Sequence, residues 1–311
     1  MKNRLAFLAA LAFLASLLAF TIRETVSADN HSSAGKNLLK KNWIARCSPD
    51  WDMLGDWIAE TELPPIPGAG SYKWKISTQN DSAQFYFNQG INMYYSFHLI
   101  EAMSSFKKAA RFDPASPMLY CAQALAYGPN INDIGYAASP ESLLAVEKSI
   151  EQINHASEKE KMLIRAQQAR YSPDSTISRQ TLNQEYADKM KEVYHRYPSD
   201  PDVAALYADA LMLQHPWDLG KIDGTPKPWT PLIRNILEKL LARTPNHPGA
   251  NHYYIHVMEP SPYAAKALPS ADRLGKLTPG LAHTVHMPSH IYLRTGNYEK
   301  GVAVNLAAVK S

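Results

Sequence analysis

Between residues 247 and 290 the chain carries six histidines and a glutamate, His247, His252, His256, Glu259, His283, His286 and His290. Neutral imidazole binds Zn, Fe, Cu and Ni, and a carboxylate extends the choice towards harder ions. His252 and His256 lie four residues apart, as do His286 and His290. On an α-helix such residues are neighbours on one face, so each pair can chelate a single ion. The chemistry suggested is a transition-metal centre, with Zn, Fe or Cu as candidates and His252, His256, Glu259, His283, His286 and His290 as candidate ligands. A helix-borne histidine can also donate to a backbone carbonyl or contact a peptide. The alternative is therefore a scaffold that holds a protein or peptide without metal.

The two histidine pairs must be positioned by equivalent elements, because the second repeats the first after 34 residues. A period of 34 is that of a paired-helix repeat. The segment Ala83 to Ser116 fits such a unit independently, with Gly90, Ala102, Phe106, Ala109 and Pro114 at the small, large and helix-closing positions. A unit starting at Pro248 has Ala267, Leu274 and Pro279, and another starts at Ala282 with Gly296 and Tyr298 at its turn. Weaker copies fit Pro117 to Tyr127, ending at Gly128-Pro129, and Tyr186 to Met212 with Pro198. On these residues the chain resembles the tetratricopeptide-repeat superfamily. The resemblance implies an all-α fold, a tetratricopeptide-like α-solenoid of stacked helix hairpins, over residues 79–311.

In that family positions 2, 5, 9 and 12 of the first helix of each unit face the groove. Carried onto this chain, the resemblance implies that Gly249, His252, His256 and Glu259 share the groove with His283, His286 and His290. The preceding unit adds Asp202, Ala205, Asp209 and Met212. Packed helix axes lie roughly 8–10 Å apart, so imidazoles from adjacent helices can meet at one ion or two close ones. Ring nitrogens of His252, His256, His286 and His290 should then approach within roughly 4–7 Å without metal, and about 3–3.5 Å around an ion.

The strings His247-Pro-Gly-Ala-Asn-His-Tyr-Tyr-Ile-His256 and His283-Thr-Val-His-Met-Pro-Ser-His-Ile-Tyr292, with Gly128-Pro-Asn-Ile-Asn132, resemble those of a subgroup of exported bacterial tetratricopeptide-repeat proteins without an assigned activity. Cys121 departs from the Trp usual in that subgroup, whose members also extend further at the C-terminal end. The unit begun at Ala282 would need a closing position at 313, whereas the chain ends at Ser311. An incomplete last repeat, with Val302, Leu306 and Val309 left uncovered, is the expectation.

Secondary candidates are His247, Asp209, and a polar focus of His98 and Glu101 with Asn130 and Asn132; His98 and Glu101 also suit a helix-start pair. Cys47 and Cys121 could pair in an oxidising compartment, Cys121 could be a soft ligand, and a packed free thiol is the simpler expectation. The loop from His215 to Pro231, with Trp217, Asp218 and Trp229, is either a lid over the groove or an insertion filling a gap.

Other chemistries find no motif. There is no glycine-rich phosphate loop, no Gly-x-Ser-x-Gly and no His-Glu-x-x-His, since His252-Tyr-Tyr-Ile-His256 lacks the adjacent glutamate. An enzymatic role is left open. It would use metal-bound water or oxygen with Glu259 as catalytic base or as ligand.

At the N-terminus Lys2 and Arg4 precede an apolar run from Leu5 to Phe20, and Val26-Ser27-Ala28 suits leader cleavage. Residues 1–28 read as a signal peptide or, uncleaved, as a membrane anchor, placing the body in the periplasm or otherwise outside the cytoplasm. Residues 29–78 read as a helical extension, with short helices over 37–60, followed by a Pro-rich linker. Loss of 1–28 removes a charge of +2 from the formal +3. So nearly neutral a body offers nothing to nucleic acid.

Overall fold

The computed structural model describes residues 63–132, 136 and 138–311. The expected leader, the helices over 37–60 and Cys47 lie outside them. The described residues are all-α: α1 (Asp81–Tyr95), α2 (Leu99–Phe112), α3 (Pro117–Tyr127), α4 (Pro140–Glu151), α5 (Glu158–Ala169), α6 (Arg179–Arg196), α7 (Pro201–Leu213), α8 (Thr230–Arg243), α9 (Pro248–Met258), α10 (Leu268–Leu277), α11 (Ala282–His286), α12 (Pro288–Arg294) and α13 (Tyr298–Ala308). Among them the sole β feature is an isolated bridge between Gly220 and Pro226. No helix there is long and apolar enough to cross a membrane.

Helix boundaries follow local chemistry. The side chain of Asn80 caps α1 through Ala83 N at 3.0 Å, and Asp200 caps α7 through Val203 N at 3.0 Å. Ser157 and Glu160 form a reciprocal capping box on α5. Proline opens α3, α4, α7 and α9 in the first turn, where a missing N–H costs no hydrogen bond.

Helices adjacent in sequence pack on one another along most of the chain. Gly90 on α1 lets Phe106 of α2 come close, since a Cβ there would sit 2.4 Å from the ring. Contacts are not confined to neighbours, however. Helix α9 also packs on α1, and a Cβ on Gly249 would lie 2.4 Å from the Tyr95 ring. The linker joins this closure, with Gly280 N donating to Gly68 O at 2.9 Å. The first hairpin thus reaches the histidine-bearing helices, which the repeat pattern alone does not specify.

The segment expected as one helix from Ala282 is divided at Met287-Pro288 into α11 and α12. Pro288 has no N–H for the Thr284 carbonyl, and its ring crowds that carbonyl. The left-handed Gly296 (φ 74°) then turns the chain into α13. That helix has no buried residue, and Val302, Leu306 and Val309 are 60%, 61% and 86% exposed. Cys121 is a free buried thiol in an apolar pocket with Trp74, Phe87 and Leu206, and burial pushes its pKa up to about 12. It takes no part in the histidine cluster.

Candidate metal centre

Helix α9 carries His252 and His256 on one face, and the start of α11 brings His283 against them. The Nε2 atom of His252 lies 3.1 Å from Nε2 of His256 and 3.1 Å from Nε2 of His283. One nitrogen from each of the three rings falls within 4.8 Å of the other two. For Zn–N bonds of 2.0–2.1 Å, tetrahedral ligands are about 3.3–3.4 Å apart. The rings therefore already stand near ligand spacing, and the set fits a transition-metal ion.

Proton placement supports that fit. The Tyr95 carbonyl accepts from His252 Nδ1 at 2.7 Å. A carbonyl cannot donate, so the proton sits on Nδ1 and the neutral ring presents a lone pair at Nε2. Burial, reinforced by the neighbouring imidazoles, lowers the pKa of His252 well below its ordinary value. His256 is lowered mainly by burial, with Glu259 opposing. His283 is held down to about 3 by burial and then by His256 and His286. All three are thereby kept in the neutral form that ligates metal. His256 Nδ1 is buried with no hydrogen-bond partner.

The second pair forms its own group. His286 Nε2 and His290 Nε2 are 3.1 Å apart despite the break at Pro288. Glu259, at the C-cap of α9, accepts from His290 Nδ1 at 2.5 Å, and its other oxygen is 3.9 Å from His256 Nδ1. Burial would raise the Glu259 pKa, but His256 and His290 outweigh it and lower it to about 2. The carboxylate thus lies on the Nδ1 side of these rings, while the close ring-to-ring contacts are made through Nε2.

Two aromatic residues close over the trio. Phe97 lies 4.5 Å from the His252 ring and 5.4 Å from His283, and Trp217 meets His256 edge-on at 5.2 Å. They are the only non-glycine residues with positive φ among those described, at 56° and 59°. Such backbone strain, on the order of 1–3 kcal/mol each, tends to collect at functional sites. The Trp217 loop is tied down by Trp229 Nε1 donating to Asp218 O at 2.7 Å and by the Lys227–Asp218 ion pair at 2.7 Å.

The secondary candidates divide. His98 joins the edge of the cluster, accepting at Nε2 from His283 N at 3.5 Å, with Glu101 3.9 Å from its Nδ1. His247 instead caps α9: its Nδ1 accepts from Ala250 N at 3.1 Å, as its position before Pro248 dictates. Asp209 accepts from Tyr94 at 3.2 Å, away from the imidazole contacts. Asn130 accepts from Asn132 N at 2.8 Å in a local turn, not as a partner of His98. Neither the Tyr95 carbonyl nor Asn305 is legible in the sequence. The first is a backbone atom with no side-chain signal; Asn305 lies 19 residues beyond its partner His286.

No protein-family model matches the chain, and no curated protein matches it significantly. The functional reading therefore stands on the site itself.

Proposed function

We propose that this chain is an exported, tetratricopeptide-like helical-repeat protein that binds a transition metal through His252, His256 and His283 for binding or metal-assisted catalysis. The observation that carries the reading is the convergence of three neutral imidazoles at 3.1 Å contacts, with the His252 tautomer fixed by a carbonyl. Three protein nitrogens with room for a further ligand are the usual arrangement of catalytic zinc. Imidazole donors equally suit Fe and Cu.

In this reading the Tyr95 carbonyl and Glu259 orient rings rather than ligate. A metal bound here would supply Lewis acidity to a ligand entering beside the half-buried His283. Phe97 and Trp217 would exclude water from the α9 side of the cluster.

Elemental analysis of the purified protein, and after reconstitution with Zn, Fe or Cu, tests the proposal. We expect at least one equivalent per chain, and one equivalent fewer in a His252→Ala and His283→Ala double variant. Absence of retained metal in the folded wild-type protein would sink it and leave the metal-free peptide scaffold as the surviving use of these helices.

A further inference from the structure

His286 and His290, with the partners they have here, present a contact that lacks a donor. Glu259 fixes the proton of His290 on Nδ1, since a carboxylate only accepts. Asn305 presents Oδ1 at 2.6 Å from His286 Nδ1, and in this orientation the amide oxygen accepts, which puts the proton of that ring on Nδ1 as well. Two neutral rings so oriented point lone pairs at each other across the 3.1 Å between their Nε2 atoms. Lone pairs at that distance repel unless an electrophile sits beside both.

We infer that His286 and His290 form a second cation position, adjacent to the trio and taking a divalent transition metal, so that the protein holds a paired-ion centre. The inference rests on the metal reading of the trio. With bonds of about 2.0–2.1 Å, nitrogens 3.1 Å apart subtend close to a right angle at the ion, which suits adjacent positions in tetrahedral or octahedral geometry. The two groups are near neighbours: His256 and His290 have ring centroids 6.1 Å apart, and His283 and His286 6.5 Å. Glu259 lies against His290 and near His256, so one carboxylate lowers the charge of both groups. His286 and His290 are half-buried, leaving the second ion positions for solvent or an incoming ligand.

The test is metal stoichiometry of the full chain titrated with Co(II) and Zn(II), desalted and assayed by elemental analysis, alongside 15N NMR of the metal-free histidines. We expect two equivalents in the wild type, one in His286→Ala or His290→Ala, and one in the His252→Ala and His283→Ala double variant. His286 and His290 are partly exposed, so their variants should fold, as circular dichroism will check. One equivalent in the wild type, unchanged in His286→Ala and His290→Ala, overturns the second position while leaving the trio standing. One equivalent lost in both sets shows a single shared ion and also overturns it. No metal in any protein removes the trio reading and this inference together. An imidazolium signal from the metal-free pair, with no second equivalent on titration, means that a proton alone occupies the contact.

Discussion

Two buried polar clusters lie within the helical body, and they solve opposite problems. Around Arg170, unlike groups meet. Its guanidinium donates to the carbonyls of Leu125, at 3.4 Å, and Pro129, and its Cζ lies 4.9 Å from the Tyr186 ring centroid. Gly128 has no Cβ to obstruct it. Asp209 supplies the balancing charge and accepts from Tyr94 at 3.2 Å. In the histidine cluster like meets like, and nitrogens face nitrogens at 3.1 Å in three places. Complementary donors and acceptors need no added ion, whereas the His286–His290 contact, with both protons on Nδ1, leaves only acceptors at Nε2 and calls for a cation.

The largest effect that follows concerns the Arg170 cluster. Arg170→Met would leave the Asp209 carboxylate buried without its countercharge and two carbonyls without donors. Leaving buried acceptors unsatisfied costs about 1–3 kcal/mol each. Urea denaturation should show this loss equally with and without metal. A loss below about 1 kcal/mol would mean that the cluster does not hold the helices together.

Metal should separate the two clusters next. A ligand that binds only the folded state adds about 2.7 kcal/mol at a hundred times its Kd and about 4.1 at a thousand times. Adding Zn(II) should therefore raise the melting temperature of wild type and of Arg170→Met alike, and that of His252→Ala by less, since only the His286–His290 position remains to it. Equal stabilisation of His252→Ala would break the contrast, because the ion would then be binding elsewhere.

The sequence foreshadowed one cluster better than the other. Four-residue spacing made the contacts of His252 with His256 and His286 with His290 legible, because helix geometry converts spacing directly into proximity. The third member of the trio is His283, at the start of α11, rather than a residue of the second pair; the break at Pro288 and the turn after Thr278 determine that. The Tyr95 carbonyl and Phe97 come from a hairpin more than 150 residues away, as the His252–Tyr95 separation of 157 records. No local pattern encodes that closure. Gly249 is its only visible trace, and the reason for a glycine there appears once Tyr95 is packed against it.

Acid should move the clusters in opposite directions in the metal-free protein. His252, His256 and His283 have lowered pKa values when folded, so below about 6.5 the unfolded chain binds more protons than the folded one, and stability falls as pH falls. His283, held to about 3, alone contributes roughly 1.4 kcal/mol per pH unit through the window from about 6.5 to about 3. Asp209 has the reverse sign. Burial, opposed by Arg170 and Tyr94, raises it to about 6, so its contribution is present below about 3.8 and lost as pH rises through 6. Denaturation between pH 7.5 and 5 should show net loss of stability, steeper in Asp209→Asn, which lacks the opposing contribution. A curve flat over that range would mean that the imidazoles are not held neutral.

The smallest effect isolates the lid. Trp217 combines a left-handed backbone at φ 59°, 48% exposure and an edge contact to His256. Trp217→Ala removes the ring and keeps the strain; Trp217→Gly removes both, since glycine occupies this region without a Cβ penalty. Relief of strain, on the order of 1 kcal/mol, should nearly offset what glycine gains in unfolded-state freedom, about 0.5–1 kcal/mol. Both variants should therefore lie close together in stability, within about 1 kcal/mol of each other, because Trp217 belongs to no completed hydrogen-bond network. Their shared difference from wild type should appear in kinetics instead. With the ring gone, His256 is open to solvent, and a chelator should strip metal faster from both variants than from wild type. If Trp217→Ala and Trp217→Gly lose metal at the wild-type rate, the loop merely fills space, and the strained tryptophan has no bearing on the histidine cluster beneath it.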